Sequence, residues 1–139
     1  MADLDFILQR KILKLGNKLV NTRNVDLKTH DLTPNQSETL LYFDAHPGEV
    51  IVNLKDYLEI SHQAARNMVA RMKLKSLLYV TVSATDARAR QVYLTAKGQT
   101  ICAQLKANGT SVGHTILSQL SASERQQLAH LLDKITDQF

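Results

Sequence analysis

Apolar residues recur every three or four positions near both ends of this 139-residue chain. The N-terminal repeat consists of Leu4, Ile7, Leu8, Ile12, Leu15 and Leu19. This spacing places them on one face of a helix, so the pattern predicts an amphipathic helix over residues 3–21. A polar loop or short turn is predicted over 24–32. Thr33 and Pro34 then predict a second helix, because threonine is a good N-cap and proline suits the first helical position.

Shorter elements are predicted in the middle of the chain. The β-branched run 50–52 predicts a small strand that pairs with a later hairpin. Asn53 is predicted to cap a short helix over 53–58. The apolar side chains of this helix are expected to pack inward and are Leu54, Tyr57 and Leu58.

Ser61 predicts the N-cap of a basic helix over 61–75. Its buried stripe has helical spacing and consists of Ala65, Met68, Val69 and Met72. The segments 77–83 and 91–94 predict two β-strands on either side of an arginine-containing turn, 86–90. This order of helix, turn, basic helix and hairpin is that of a winged helix-turn-helix, which places its second helix in the DNA major groove.

Thr95 is predicted to cap a long helix that contains Gly109 and Gly113, each of which weakens a helix by about 1 kcal/mol. A bend or break is therefore expected there. Ser121 and Glu124 form a capping-box pattern for a last helix. The apolar residues expected to be buried in these two helices are Ile101, Leu105, Val112, Ile116, Leu117, Leu120, Leu128, Leu131, Leu132 and Ile135.

The predicted fold is mainly α with a small β-hairpin wing. Three parts are expected: an N-terminal dimerisation helix and loop over 1–32, a winged helix-turn-helix over 33–98, and C-terminal dimerisation helices over 99–139. The terminal apolar stripes lie far apart in sequence and need a partner, which favours a homodimer. A monomer in which both stripes cover the winged module is the alternative.

Charge supports the DNA-binding interpretation. The chain carries a net charge of +4, but residues 53–100 hold eight basic and three acidic residues, whereas the remainder holds nine basic and ten acidic ones. A phosphate-contacting surface requires such a concentration. The N-terminus has no secretory signal pattern, and no apolar run approaches the roughly 20 residues that span a bilayer. A single cysteine fits a reducing compartment, so we expect a cytoplasmic protein without membrane association.

Candidate DNA-contacting residues lie in the wing and the basic helix. Arg88, at the hairpin tip, is expected to enter a minor groove, with its side chain held by a charge-assisted hydrogen bond that it donates to Asp86. Arg90 is expected to contact a phosphate. Residues near the N-terminus of the basic helix are expected to reach base edges. They are Ser61, His62, Gln63, Arg66 and Asn67. Arg71 and Lys73, further along, are expected to meet phosphates.

Other chemistry finds little support. Cys102 lies on an apolar side of its helix, where packing is favoured over a redox role. The five histidines show no metal-ligand spacing, so no metal or other cofactor is expected. No phosphate-binding glycine loop and no nucleophile elbow is present, so an enzyme is not expected.

Five segments in order resemble the MarR family of bacterial transcription regulators. They are residues 32–36 (LTPNQ), 54–61 (LKDYLEIS), 72–78 (MKLKSLL), 86–88 (DAR) and 94–98 (LTAKG). The resemblance implies a homodimer with interlocked terminal helices and two winged modules in adjacent major grooves. It also implies release of DNA by a small anionic or phenolic ligand or by cysteine oxidation. Ser76 replaces the usual glycine, so its turn must avoid the left-handed region or accept strain.

The leading hypothesis is a sequence-specific dimeric repressor that binds a palindromic operator and is released by a small-molecule effector. The alternatives are a winged-helix module for protein interaction, in which the basic helix is only a solvated surface, and a non-specific nucleic-acid binder. The salt dependence of DNA binding and the ratio of operator to random-DNA affinity distinguish these three hypotheses.

Overall fold

The computed structural model of the chain describes residues 3–138. The elements in that range are α1 (Leu4–Thr29), α2 (Pro34–Ala45), α3 (Ile51–Leu58), α4 (His62–Leu74), β1 (Leu78–Val82), β2 (Arg90–Leu94), α5 (Ala96–Ile116) and α6 (Ala122–Thr136). This confirms the predicted fold class. The chain divides into two compact units, with the boundary between Leu105 and Lys106. The division into 1–32, 33–98 and 99–139 concerns function and stays a prediction.

Helix α1 is longer than its apolar repeat indicates. It begins after the N-cap Asp3 and continues to Thr29, so the predicted loop over 24–32 is wrong for most of its length. The polar segment stays helical because it carries Leu27 into the core, where that side chain is buried. The helix then ends in a turn in which the Leu32 N–H donates to the Leu27 carbonyl at 3.0 Å.

Helix α2 begins as predicted. The Gln36 N–H donates to Thr33 Oγ1 at 3.2 Å, and the Thr33 N–H donates to Gln36 Oε1 at 3.1 Å. These reciprocal bonds form a capping box and satisfy two of the unpaired donors at the helix start. Leu40 and Phe43 then reach the core and are buried.

The segment before α3 differs from the prediction. Of residues 50–52, Val50 alone pairs with the hairpin, as a bridge to Gln91, while Ile51 and Val52 form the first turn of α3. Val50 is therefore the N-cap, without a side-chain bond, and the predicted cap at Asn53 is wrong. The Asn53 side chain instead donates to the Glu49 carboxylate.

The core of the first unit lies among α2, α3, α4 and the hairpin. Its members are buried and include Leu40, Phe43, Leu54, Ala65, Val69, Met72, Leu77, Leu78, Val92 and Leu94. Strands β1 and β2 pair antiparallel, with Val80 opposite Val92. Gly98 in α5 packs so closely that an added Cβ would overlap the Leu77 carbonyl oxygen. The start of α5 therefore lies directly against the start of the hairpin.

The second unit contains the end of α5 and all of α6. Helix α5 runs through Gly109 and Gly113 without interruption, so the predicted break is not found. The capping box before α6 is confirmed, with Ser121 Oγ 3.1 Å from the Glu124 nitrogen and the Ser121 nitrogen 2.9 Å from Glu124 Oε1. Within residues 3–138, the helices are too short or too polar to cross a membrane.

Candidate nucleic-acid interface

Helices α3 and α4 meet at a tight turn. Glu59 adopts a left-handed backbone with a φ of 54°, and the Ile60 N–H donates to the Lys55 carbonyl at 3.2 Å. Ser61 then caps α4, because its Oγ accepts a hydrogen bond from the Ala64 N–H at 3.0 Å. The cap fixes the start of α4 at His62, directly after the predicted N-cap.

Helix α4 presents its polar side to solvent. Ala65, Val69 and Met72 of the predicted stripe are buried, and Met68 is half-buried. The seven candidate residues on or next to this helix are all exposed and are Ser61, His62, Gln63, Arg66, Asn67, Arg71 and Lys73. The predicted amphipathic arrangement is therefore confirmed, whereas their contact with DNA stays a prediction.

Three of these exposed side chains form a hydrogen-bonded chain. Arg66 Nη2 donates to Gln63 Oε1 at 2.9 Å, and Gln63 Nε2 donates to Asn67 Oδ1 at 2.9 Å. Both amide oxygens are thus already accepting bonds within the helix. The remaining N–H groups of Arg66 and Asn67 are donors, which suits the acceptor groups of base edges and phosphates.

The wing, residues 83–90, is closed by its own polar groups. Ser83 Oγ accepts from the backbone nitrogens of Thr85 and Asp86, each at 3.3 Å. Asp86 Oδ1 accepts from the backbone N–H of Arg88 at 2.9 Å. The prediction that Asp86 holds the Arg88 side chain is therefore wrong, because a short aspartate at a turn reaches the N–H two residues on.

This turn leaves the two wing arginines in different states. Arg90 Nη1 donates to the Ala87 carbonyl at 3.1 Å, so its side chain lies along the wing. Arg88 is exposed, and its guanidinium forms no hydrogen bond or ion pair with residues 3–138. Arg88 is therefore able to contact a ligand without breaking an internal bond.

Cationic side chains of α4 and the wing lack carboxylate partners. Among residues 3–138, ion pairs join Arg23 to Glu38, Lys55 to Asp56 and Lys75 to Asp31, and His30 Nε2 lies 4.0 Å from Asp26 Oδ1. The five candidate cations outside these pairs are Arg66, Arg71, Lys73, Arg88 and Arg90. A basic surface whose charge is not neutralised internally attracts a polyanion.

Sequence reasoning missed Lys75 and Arg23, whose side chains link separate elements. Lys75, the C-cap of α4, binds Asp31 in the turn between α1 and α2 and Gln36 of α2, and Arg23 of α1 binds the start of α2. Neither residue belongs to a motif, and only the fold brings each one to its partners. No signal in the sequence alone would have revealed these links.

An aromatic cluster lies between α2 and α3. Tyr57, predicted to point inward, is exposed, and its ring stacks on Tyr42 with centroids 4.9 Å apart. Its hydroxyl donates to Glu38 Oε2 at 3.1 Å. Partial burial, followed by the charge of Glu38, raises the pKa of Tyr57, and partial burial followed by Glu49 raises the pKa of Tyr42. Both rings therefore stay neutral and serve packing.

Cys102 is 1% exposed, which agrees with the packing role favoured from the sequence. Within the range 3–138, no three His, Cys, Asp or Glu side chains are grouped so that they could hold a metal ion.

Comparison with known proteins places this geometry among transcription regulators. The model of the MarR family matches residues 30–89. Transcriptional regulator HosA of Escherichia coli O157:H7 is 32% identical over 105 residues, which are 76% of this chain and 78% of HosA.

Solved structures share the fold over nearly the whole chain. A mutant MarR from E. coli complexed with operator DNA has a TM-score of 0.77 and 27% identity, covering 96% of this chain and 99% of its own. An S. aureus MepR–DNA complex has a TM-score of 0.81 over 98% of this chain and 99% of its own. At 22% identity, the MepR likeness concerns the fold alone.

Proposed function

This chain belongs to the MarR family, and we propose on that premise that it regulates transcription by binding palindromic double-stranded DNA as a homodimer. The observation that carries the proposal is the exposed basic surface of α4 and the wing, whose five cations have no carboxylate partner in the described chain. The MarR complex with operator DNA, at 27% identity, supports it.

In the proposed complex, α4 lies in the major groove. Exposed residues near its N-terminus meet base edges, because the first turns of a recognition helix enter the groove most deeply. They are Ser61, His62, Gln63, Arg66 and Asn67. Arg71 and Lys73 contact phosphates, which orient the protein without specifying sequence. Arg88 enters the neighbouring minor groove, where the negative potential favours a guanidinium, and Arg90 contacts the backbone beside it.

Exposed apolar side chains support the homodimer. On α1, Phe6 is 55% and Ile12 52% exposed, and on α6 Leu131 is 53% exposed. Large apolar side chains in such numbers on single helices mark an interface with another molecule. We assign residues 1–32 and 99–139 to dimerisation, because a second copy offers the same faces and a two-fold axis matches a palindrome.

The regulatory direction extends the proposal. A dimer bound across a promoter acts as a repressor, and a small ligand that changes the spacing of the two winged modules releases it. The family membership supports both features. This function is not enzymatic, and its site of action is the bacterial cytoplasm, where the DNA is.

Selection of DNA ligands by the full chain tests this function. The purified protein is used to enrich duplexes from a random pool, and the affinity of the best duplex is followed by fluorescence anisotropy between low and moderate salt. We expect an inverted repeat with half-sites roughly 10 base pairs apart. Its affinity should exceed that for random DNA by about 10³-fold or more and should fall steeply with salt.

Two results would contradict the proposal. Equal affinity for selected and random duplexes would indicate a non-specific nucleic-acid binder. No binding even at low salt would indicate a protein-interaction module, in which the basic face of α4 is a solvated surface.

A further inference from the structure

The end of α4 is tied to the turn between α1 and α2 by one ammonium group. Lys75 Nζ donates to Gln36 Oε1 at 3.1 Å and to the backbone carbonyl of Asp31. The Asp31 carboxylate lies 3.7 Å away but is 98% exposed, so this ion pair adds little. The two hydrogen bonds are the stronger restraints, because Gln36 is buried and its oxygen also caps α2.

A second polar link joins α1 to α3. Arg23 Nη2 contacts the Pro34 carbonyl at 2.9 Å, Ser37 Oγ at 2.7 Å and Glu38 Oε1 at 3.0 Å. The other oxygen of Glu38 accepts from the Tyr57 hydroxyl of α3 at 3.1 Å. The Glu38 carboxylate therefore connects the two helices on either side of it.

Both helices of the helix-turn-helix are thus restrained against one N-terminal segment, residues 23–38. Resting on the function proposed above, we propose that Lys75 and Arg23 are positioning residues for DNA binding. They hold α4 at a defined angle to α1, the helix that carries the exposed apolar face assigned to the dimer.

The consequence concerns spacing between half-sites. In a dimer, the distance between the two α4 helices depends on the angle at which each is held to its own dimerisation helix. Inserting or removing one base pair between the half-sites rotates one half-site around the duplex axis relative to the other. A dimer with rigidly held helices therefore binds only one spacing well. Loosening the links broadens the range of accepted spacings and weakens binding to the best one.

Anisotropy titrations with three duplexes test this proposal. The probes are the selected inverted repeat and two derivatives with one base pair inserted or removed between the half-sites. Lys75→Met is expected to weaken binding to the original duplex by about fivefold to tenfold, the range expected when a typical protein hydrogen bond is lost. The affinity difference between the original duplex and the two altered duplexes should also become smaller. Arg23→Met, which breaks the link to α3, should do the same.

A matched control separates positioning from direct phosphate contact. Lys73, two residues earlier, is exposed, so Lys73→Met should lower the salt dependence of binding by about two released ions per dimer, one per protomer. It should leave the spacing preference intact. Lys75→Met should leave the salt dependence unchanged, and Lys75→Arg, which keeps the donors, should restore affinity and spacing preference.

Several results would overturn the inference. A lower salt dependence for Lys75→Met would make Lys75 a phosphate contact. A lower melting temperature with unchanged affinity and spacing preference would make it a structural residue only. If the wild type binds its selected duplex and Lys75→Met gives the same titrations, this inference alone is contradicted. If the wild type selects no duplex, the proposed function is contradicted, and this inference falls with it.

Discussion

At the scale of single residues, Arg88 is exposed, and its guanidinium has no hydrogen-bond or ion-pair partner among residues 3–138. The sequence predicted its place on the wing, because the turn follows from the residues around it. It did not predict how Asp86 acts, since whether an aspartate bonds a side chain or a backbone N–H depends on the turn geometry. The hydrogen bonds of Lys75 and Arg23 to other elements were not predicted, because their partners are distant in sequence.

Arg88→Ala should weaken binding to the selected duplex by roughly tenfold or more, the scale of one good groove contact. Its melting temperature should equal that of the wild type, because the guanidinium supports nothing in the fold. Arg88→Lys keeps the charge and should lose less. A gel-shift titration measures both variants, and an unchanged affinity for Arg88→Ala would remove the wing from the mechanism.

Gly98 is required by close packing. An alanine Cβ there would overlap the Leu77 carbonyl oxygen and lie 3.1 Å from its carbonyl carbon. We expect Gly98→Ala to lower the free energy of unfolding by about 1–3 kcal/mol, as overpacking does. Gly109→Ala in the same helix meets nothing within 4 Å and should add about 1 kcal/mol. Urea titrations measure both variants, and an equal change in the free energy of unfolding for Gly98→Ala and Gly109→Ala would contradict this account.

Tyr57 makes stability depend on alkaline pH. Its pKa is raised in the folded protein from the ordinary 10.0, first by burial and then by Glu38. Above pH 10 the unfolded chain releases this proton more readily than the folded one, so the free energy of unfolding falls as pH rises towards the folded pKa. Tyr57→Phe should show a smaller fall in urea titrations between pH 9 and about 11. A fall as large as that of the wild type would exclude Tyr57 as a cause.

At the scale of elements, the predictions succeeded where local chemistry decides. The caps at Thr33, Ser61 and Ser121 begin helices as predicted, since each needs only residues within one turn. The predicted end of α1 and the predicted start of α3 were wrong, because the packing of Leu27 and the pairing of Val50 with Gln91 determine where these helices end and begin. Propensity is a weak guide where such contacts compete.

The end of α4 offers a test at this scale. Ser76 accepts a left-handed backbone with a φ of 62°, which costs a non-glycine residue about 1–2 kcal/mol. Ser76→Gly should raise the free energy of unfolding by about 0.5–1 kcal/mol, the relieved strain less the added chain entropy. Ser76→Ala keeps the strain and should stay within about 0.5 kcal/mol of the wild type. Thermal unfolding of the wild type, Ser76→Gly and Ser76→Ala measures these differences. A Ser76→Gly variant less stable than the wild type would contradict the assigned strain.

At the scale of the whole molecule, the apolar stripes near both chain ends predicted that a partner is needed, and many of those side chains are exposed in the single chain. Sequence pattern indicates which faces need cover, but it does not specify the arrangement of two copies, because that depends on contacts between chains. The homodimer therefore remains the proposal on which palindrome recognition depends.

Hydroxyl-radical footprinting of the full protein on its selected duplex tests the central claim most directly. The account predicts two protected patches related by two-fold symmetry and roughly one helical turn apart, each flanked by minor-groove protection that Arg88→Ala removes. A single asymmetric patch, or flanking protection that is unaffected by Arg88→Ala, would contradict it.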